Sequence, residues 1–334
     1  NKIIFMKTLP KVFISEPIAP VGIEMLKEKA QIVLAPDTTK RTALELVRDA
    51  EAAILRATTV FDREVIEHGP HLKAIVRTGV GVDNVDLKSA AERGIFVCNT
   101  PGTNDETVAE HVLALILAFA KQIIPMDKAV RSQRWEERFS IRQMDVKSKL
   151  LGIIGYGKIG KATAALSHFL GMHVTVYDPF IEKIGENVSF TDDLEMLFRQ
   201  SDFVSLHCPS TPITHRFIGK RYLGLMKKTA YLINASRGDL INDRDLIEAL
   251  EQDAIAGVAL DVFQKEPLCA DSPFLNFKNV ILSPHVAGST KESNERIAIA
   301  AVQAVIDTLA GREPRNICNL EYFPDQLKKT PEHE

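Results

Sequence analysis

Leu150-Leu151-Gly152-Ile153-Ile154-Gly155-Tyr156-Gly157-Lys158-Ile159-Gly160 is the stretch on which the fold turns. Its first five residues form an apolar run that reads as a buried strand. The glycines that follow match G-x-G-x-x-G, a spacing that on its own marks many ordinary turns. Here a helix-favouring run, Lys161 to Leu170, comes next and stops at Gly171. A second apolar strand, Val174-Thr175-Val176, leads to Asp178, roughly 20 residues beyond the glycines. Strand, glycine turn, helix, strand and acid in that order is the pattern of a dinucleotide site.

Each position has a physical task. Gly155 permits the tight turn, Gly157 lets backbone approach a pyrophosphate, and Gly160 lets helix and strand pack closely. The helix start offers unpaired N–H groups and the positive end of a dipole to the phosphates. Asp178 can accept hydrogen bonds from ribose hydroxyls, and its charge repels the extra phosphate of NADP. No arginine directly follows it, which favours NAD, although Lys183 lies close in sequence.

Working outward, the alternation continues through Phe203-Val204-Ser205-Leu206, Ala230-Tyr231-Leu232-Ile233, Gly257-Val258-Ala259-Leu260 and Val280-Ile281-Leu282. With the two strands above, these make six, enough for a doubly wound dinucleotide domain. Toward the amino terminus, Val12-Phe13-Ile14, Ile32-Val33-Leu34, Ala53-Ile54-Leu55, Ala74-Ile75-Val76 and Ile95-Phe96-Val97 read as five further buried strands. Segments with helical periodicity, such as Gly22 to Ala30 and Ala43 to Ala50, separate them. Pro101-Gly102 breaks the pattern, and Asn104 or Asp105 caps a long helix to about Lys121. A last helix is expected from Lys291 to Leu309 after Gly288-Ser289-Thr290. The fold class is therefore α/β, with two doubly wound parallel-sheet domains.

Three polar residues follow predicted strands of the second series: Arg237 after Leu232 to Ser236, Glu266 after the strand ending at Asp261, and His285 after Leu282-Ser283-Pro284. In a parallel sheet all carboxyl ends share one edge, so residues nearly 50 apart can converge there. Reducing a 2-oxo acid delivers hydride to carbon and a proton to oxygen. His285 can donate that proton, Glu266 can raise the imidazole pKa and fix its tautomer, and Arg237 can fork onto the substrate carboxylate. Taken singly each has an ordinary alternative as a turn or surface residue; their joint placement carries the reading.

Bulk properties narrow the classes. The 334 residues suffice for two domains, 45% are hydrophobic and 25% charged. The 41 basic and 44 acidic residues are interspersed, with a net charge of -3, so nothing favours nucleic acid. The longest strongly apolar stretch, Val112 to Ala120, is too short for a bilayer, and Asn1 to Pro10 has no signal-peptide pattern. Met6 reads as a natural start. Cys98, Cys208, Cys269 and Cys318 are far apart without a CxxC pair, so no metal is expected and a reducing, cytoplasmic setting is.

Taken together, these residues resemble the D-isomer-specific 2-hydroxyacid dehydrogenase family. The likeness is carried by Arg77 to Asp86 (RTGVGVDNVD), Val108-Ala109-Glu110-His111, the glycine loop, His207-Cys208-Pro209, Asn234 to Gly238, Asp261-Val262-Phe263 leading to Glu266-Pro267, and Ser283-Pro284-His285. The resemblance implies Arg237, Glu266 and His285 as the catalytic set. It implies cofactor contacts at Thr107, Gly155, Gly157, Lys158, Ile159, Gly160, Asp178, His207, Cys208, Pro209, Ala235, Ser236, Asp261 and Gly288, with Asp261 on the nicotinamide amide. Substrate contacts are implied at Val80 and Gly81, whose loop read alone is equally a plain turn. A Rossmann NAD-binding domain, residues 104–287, would be inserted in a flavodoxin-like substrate domain, residues 1–103 plus 288–334. A homodimer and a D product are further implications. Thr107 stands where many members have serine, and the hydroxyl is kept. Glu266 disfavours formate, whose dehydrogenases carry glutamine there. No regulatory domain is expected after the last helix.

Which small 2-oxo acid is reduced stays open. Arg56, after the third early strand, is either a second anion site or a surface arginine. Trp135 either anchors a dimer loop or covers a neighbouring subunit's site. An NAD-sensing co-repressor-like protein is the alternative of a different class, and an adenosylhomocysteinase-like hydrolase is a more distant rival.

Overall fold

The computed structural model describes residues 9–181 and 185–324; Met6 and Lys183 lie outside them. It divides into two compact units, residues 1–104 with 290–334, and residues 105–289.

In the first unit five parallel strands run β1 (Lys11–Ile14), β2 (Gln31–Leu34), β3 (Ala52–Leu55), β4 (Ala74–Arg77) and β5 (Phe96–Cys98), ordered β2-β1-β3-β4-β5. The pleat explains why their sequences are apolar without alternation. Phe13, Ala53, Leu55, Ile75 and Val97 point to one face, against Val47, Val65, Ile66 and Ala90. Their neighbours Val12, Ile14, Ala52, Ile54, Ala74, Val76 and Cys98 point to the other, against Leu26 and Ala301, Val302 and Val305 of the helix Lys291–Leu309. A parallel strand covered on both faces needs apolar residues at every position. The exception is β2, which sequence reading expects to be buried: it is the sheet's edge, and Leu34 is 51% exposed. The opposite edge is covered by the returning chain. Cys318 N donates to Val97 O at 2.7 Å, and buried Asn319 accepts from Val97 N (2.9 Å) and donates to Ile95 O (3.0 Å).

The second unit holds seven parallel strands: β6 (Leu150–Ile154), β7 (His173–Tyr177), β8 (Ser189–Phe190), β9 (Phe203–Leu206), β10 (Tyr231–Asn234), β11 (Gly257–Leu260) and β12 (Val280–Leu282). Their order is β12-β11-β10-β9-β6-β7-β8. Sequence patterning gives six; β8 is only two residues, Ser189 and Phe190, both exposed and too short for a periodic signal. Leu151, Ile153, Val174, Val176, Phe203 and Ile233 face the helix Asp105–Ala120 through Val112, Leu115, Ile116 and Phe119. Ile154, Val204, Leu206, Leu232, Val258 and Leu260 face Leu197, Phe198, Leu246 and Leu250. The apolar run Val112 to Ala120 is thereby accounted for as a core helix. Among the described residues no single helix is long and apolar enough to cross a membrane; the pair Asp105–Ala120 and Ile123–Arg131 passes by composition only when joined across a 59° bend.

The strand order reverses between β6 and β9, and that reversal opens the crevice in which such sheets bind nucleotides. The glycine run follows β6 and His207 follows β9, so both stand at this point.

Candidate active site

The turn after β6 is built for close backbone approach. Gly155 sits at φ +94°, and a Cβ there would lie 2.7 Å from the carbonyl carbon of His207. A Cβ on Gly160 would lie 2.2 Å from Gly155 O, so the helix and the turn can touch only because both are glycine. Around Gly157, by contrast, a Cβ would meet nothing within 4 Å. Gly157 is the cap of the helix Lys158–Phe169 and offers no side chain to its first amides. An open cradle beside uncapped helix amides fits a diphosphate. The helix begins at Lys158, three residues before the sequence expectation, so Gly160 lies in its first turn.

Asp178 closes this loop from the end of β7. Its Oδ2 accepts from Tyr156 N at 2.8 Å and its Oδ1 from Phe180 N at 2.9 Å. The acid expected for the ribose is therefore also the anchor of the glycine turn. Each oxygen retains a lone pair for a hydroxyl. His207 N donates to Ile154 O, tying β9 to β6, and His207 Nε2 lies 2.9 Å from Ser205 Oγ. Burial pushes the His207 imidazole down to about 4, keeping it neutral, and pushes the Cys208 thiol up to about 11. Ser236 Oγ donates to Cys208 O at 2.7 Å and joins this wall to the loop after β10. Pro209 and Ala235 flank the same two loops. Gly157, Asp178 and these neighbours form a coherent receptor for a dinucleotide, so the residues fit NAD.

Three loops bring the polar trio together. Buried Asn234 donates through Nδ2 to Arg237 O at 2.8 Å and accepts from Ser236 N, which fixes the Arg237 turn. Arg237 Nη1 donates to Ser236 O at 2.8 Å. The next residue, Gly238, lies so close to the Glu266 loop that a Cβ would fall 2.0 Å from Phe263 C. Glu266 Oε1 accepts from Phe263 N at 3.0 Å, and its Oε2 lies 2.7 Å from His285 Nδ1. Burial opposes ionisation of Glu266, but the His285 ring, the Phe263 amide and the Arg237 charge outweigh it and hold the carboxyl below its ordinary value. An ionised carboxylate only accepts, so Nδ1 carries the hydrogen and Nε2 is the free ring nitrogen. The His285 side chain is 41% exposed.

His285 itself is held at φ +54°, a left-handed conformation that costs a side-chain-bearing residue about 1–2 kcal/mol. Asp261 offsets that cost. Its carbonyl accepts from His285 N at 2.7 Å. Its carboxylate, on a fully buried residue, accepts from Val286 N (2.9 Å, Oδ1), Ala287 N (2.9 Å, Oδ2) and Ser283 Oγ (2.6 Å, Oδ1). The expectation for Asp261 is a contact with the nicotinamide amide. The structure gives it a prior task, supporting the His285 loop, and leaves one lone-pair position on Oδ2.

Thr107 is buried in the first turn of the helix Asp105–Ala120, and Gly288 follows the loop held by Asp261. Lys158 and Ile159 open the helix after the glycine turn. Arg56, Val80 and Gly81 belong to the other unit, on loops after β3 and β4 at its carboxyl edge. There Arg56 Nη1 donates to Pro17 O at 3.2 Å, Arg56 O accepts from Asn84 Nδ2, and Val80 O accepts from Asn99 Nδ2. Sequence reading finds Glu266 as a partner of His285 but passes over Gly238, Ser283 and the structural task of Asp261. Their only signal was membership in the quoted motifs. Among the described residues no group of three or more His, Cys, Asp or Glu could hold a metal.

Comparison with known proteins agrees with this geometry. Residues 113–287 match the family model described as D-isomer specific 2-hydroxyacid dehydrogenase, NAD binding domain. The chain is 38% identical over 325 residues to a D-3-phosphoglycerate dehydrogenase of Synechocystis, covering 96% of this chain but 58% of that protein. It is 37% identical to a glyoxylate reductase of Korarchaeum cryptofilum, covering 93% of this chain and 96% of that one. The crystal structure of TT0316 from Thermus thermophilus superposes with a TM-score of 0.87 at 32% identity, over 92% of this chain and 99% of the other. The chain spans under two thirds of the length of the phosphoglycerate dehydrogenases of Synechocystis and Methanocaldococcus jannaschii, and nearly all of the Korarchaeum glyoxylate reductase. On these matches, the chain belongs to the D-isomer specific 2-hydroxyacid dehydrogenase family.

Proposed function

We propose that this protein is an NAD-dependent oxidoreductase that interconverts a small 2-oxo acid and its D-2-hydroxy acid. The observation that carries the reading is the 2.7 Å contact of Glu266 Oε2 with His285 Nδ1, on loops that converge beside the glycine turn. The nicotinamide supplies hydride to the carbonyl carbon when bound. His285 Nε2 donates the proton to the carbonyl oxygen, and Glu266 stabilises the imidazolium that precedes this donation. Arg237 binds the substrate carboxylate and polarises the reacting carbonyl. Gly155, Gly157, Lys158, Ile159 and Gly160 would receive the diphosphate, Asp178 the ribose, and His207 to Pro209 with Ala235 and Ser236 the adenine side. Asp261, Thr107 and Gly288 are assigned to the nicotinamide end.

In this reading residues 1–103 with 288–334 act as the substrate domain, through Val80 and Gly81 amides on the carboxylate and Arg56 on a second anionic group. Residues 104–287 act as the cofactor domain. A homodimer is supported by exposed apolar side chains along 123–139: Ile123, Ile124, Val130, Trp135 and Phe139, the last 75% exposed. Four unpaired cysteines suit the reducing cytoplasm. No observation favours the co-repressor reading over catalysis.

The test is NADH consumption, compared with NADPH, over glyoxylate, hydroxypyruvate, phosphohydroxypyruvate, sulfopyruvate and pyruvate. Turnover of at least one with NADH is expected. Tight NADH binding with no turnover of any would remove the assignment. Preference for the doubly anionic acids, lost in Arg56→Ala, would support the second anion site.

A further inference from the structure

Resting on the reading above, we propose that His111 and Ser283 are positioning residues for His285, acting through the Asp261 carboxylate. Ser283 Oγ lies 2.6 Å from Asp261 Oδ1 and 3.2 Å from His111 Nε2. A hydroxyl has one hydrogen, and a carboxylate can only accept. The Ser283 hydrogen therefore goes to Asp261, and the contact with His111 has to run the other way, from Nε2–H to the Ser283 lone pair. His111 thus has its hydrogen on Nε2, which also lies 3.8 Å from Asp261 Oδ1.

The chain of bonds has a mechanical consequence. Asp261 Oδ1 accepts from both Ser283 Oγ and Val286 N, the residues two before and one after His285, while Oδ2 takes Ala287 N. Those donors bracket the residue that stands at φ +54°. Without Ser283, one side of the bracket opens and the His285 backbone can relax toward φ below zero, carrying Nε2 away from the reacting oxygen. His111 sits on the helix Asp105–Ala120, packed against the sheet, so its bond to Ser283 ties the loop to a rigid element 172 residues away in sequence. The side chain is only 24% exposed, so water competes little for that bond.

The test uses four single variants of the whole chain, Ser283→Ala, Ser283→Thr, His111→Leu and His111→Gln, and the double variant Ser283→Ala/His111→Leu, with His285→Ala for signal assignment. Threonine keeps the hydroxyl, and glutamine places an N–H near the position of Nε2. We expect Ser283→Ala to lower kcat on the order of tenfold to a hundredfold, the scale of a small misplacement of a reacting group, with NADH affinity little changed. His111→Leu should lower kcat several-fold, Ser283→Thr and His111→Gln should recover most of the loss, and the double Ser283→Ala/His111→Leu variant should fall little below Ser283→Ala alone. Unchanged kcat in both single variants, or fully multiplicative losses, would overturn the proposal. A second readout needs no turnover: histidine ring 15N–1H spectra of the ligand-free protein. The His285 signals, identified with His285→Ala, should shift and broaden in Ser283→Ala and His111→Leu, while His168 and His173 stay put, and His111 should show its hydrogen on Nε2. An unmoved His285, or an Nδ1–H His111, would overturn it. A wild type that turns over nothing while His285 still moves would sink the dehydrogenase reading and leave the positioning network standing.

Discussion

His285 Nδ1 and Glu266 Oε2, from loops after different strands, meet at 2.7 Å, and this contact puts the ring hydrogen on Nδ1 and leaves Nε2 as the nitrogen proposed to exchange a proton with substrate. Replacing Glu266 with glutamine keeps an acceptor for Nδ1–H but removes the charge that stabilises the imidazolium. Turnover should fall roughly tenfold to a hundredfold or more, with NADH affinity within a few-fold of wild type. Steady-state kinetics beside NADH fluorescence titration separates the two, and equal losses in both would move Glu266 to a structural role.

Gly238 makes that meeting possible from below. A Cβ there would fall 2.0 Å from the Phe263 carbonyl carbon, and backbone cannot yield as a side-chain tip can. Gly238→Ala should destabilise the protein by about 1–3 kcal/mol, as overpacking does, and cost more in kcat than in NADH binding. Urea unfolding and initial rates on one preparation check both; wild-type stability would contradict the close approach.

Asp178 illustrates a double duty. Because it holds Tyr156 N in addition to its proposed ribose contact, Asp178→Ala should loosen the glycine turn as well as remove the ribose bonds. NADH affinity should drop on the order of tenfold to a hundredfold, without a matching gain in NADPH affinity. A clean switch to NADPH at full affinity would show that the Tyr156 bond is dispensable.

His207 gives a pH signature. Its folded value of about 4 lies below the ordinary 6.5, so the unfolded chain binds more protons between them. The stability it contributes is complete above about pH 6.5 and is lost as pH falls toward 4. Urea midpoints should decline from pH 7 to pH 5, and His207→Gln, which keeps an amide facing Ser205, should flatten that decline relative to wild type. An identical slope in the variant would mean that other groups carry it.

The exposed pair Trp135 and Phe139, over which Arg138 stacks at 5.4 and 4.5 Å, offers the test of assembly. If the proposed dimer forms through this face, light scattering should show a dimer for the wild type and a monomer for Trp135→Glu with Phe139→Glu, with the fold retained by circular dichroism. An unaltered dimer would place the interface elsewhere.

Much of this was legible in the chain. Buried parallel strands such as β3 and β10 announce themselves because both faces demand apolar side chains, and the glycine turn because three glycines fall within six residues, Gly155 and Gly160 for close backbone contact and Gly157 leaving an open cradle. What escaped is what depends on neighbours distant in sequence. β8 is two exposed residues that become a strand only because β7 offers an edge. β2 has a core strand's composition but an edge strand's exposure. Gly238 is indispensable only because the 263–266 loop passes over it. Ser283 and His111 are ordinary residues until the fold sets them 3.2 Å apart, and the sequence reads Asp261 only as a ligand contact, whereas its buried carboxylate also grips the His285 loop.

The most direct measurement sets wild type beside His285→Ala, with NADH oxidation by glyoxylate or hydroxypyruvate and NADH affinity determined on the same samples. If His285 is the proton donor, the variant binds NADH normally and loses turnover on the order of a hundredfold or more. A His285→Ala protein that still reduces the acid at near wild-type rate would contradict that assignment and, with it, the mechanism built on this loop.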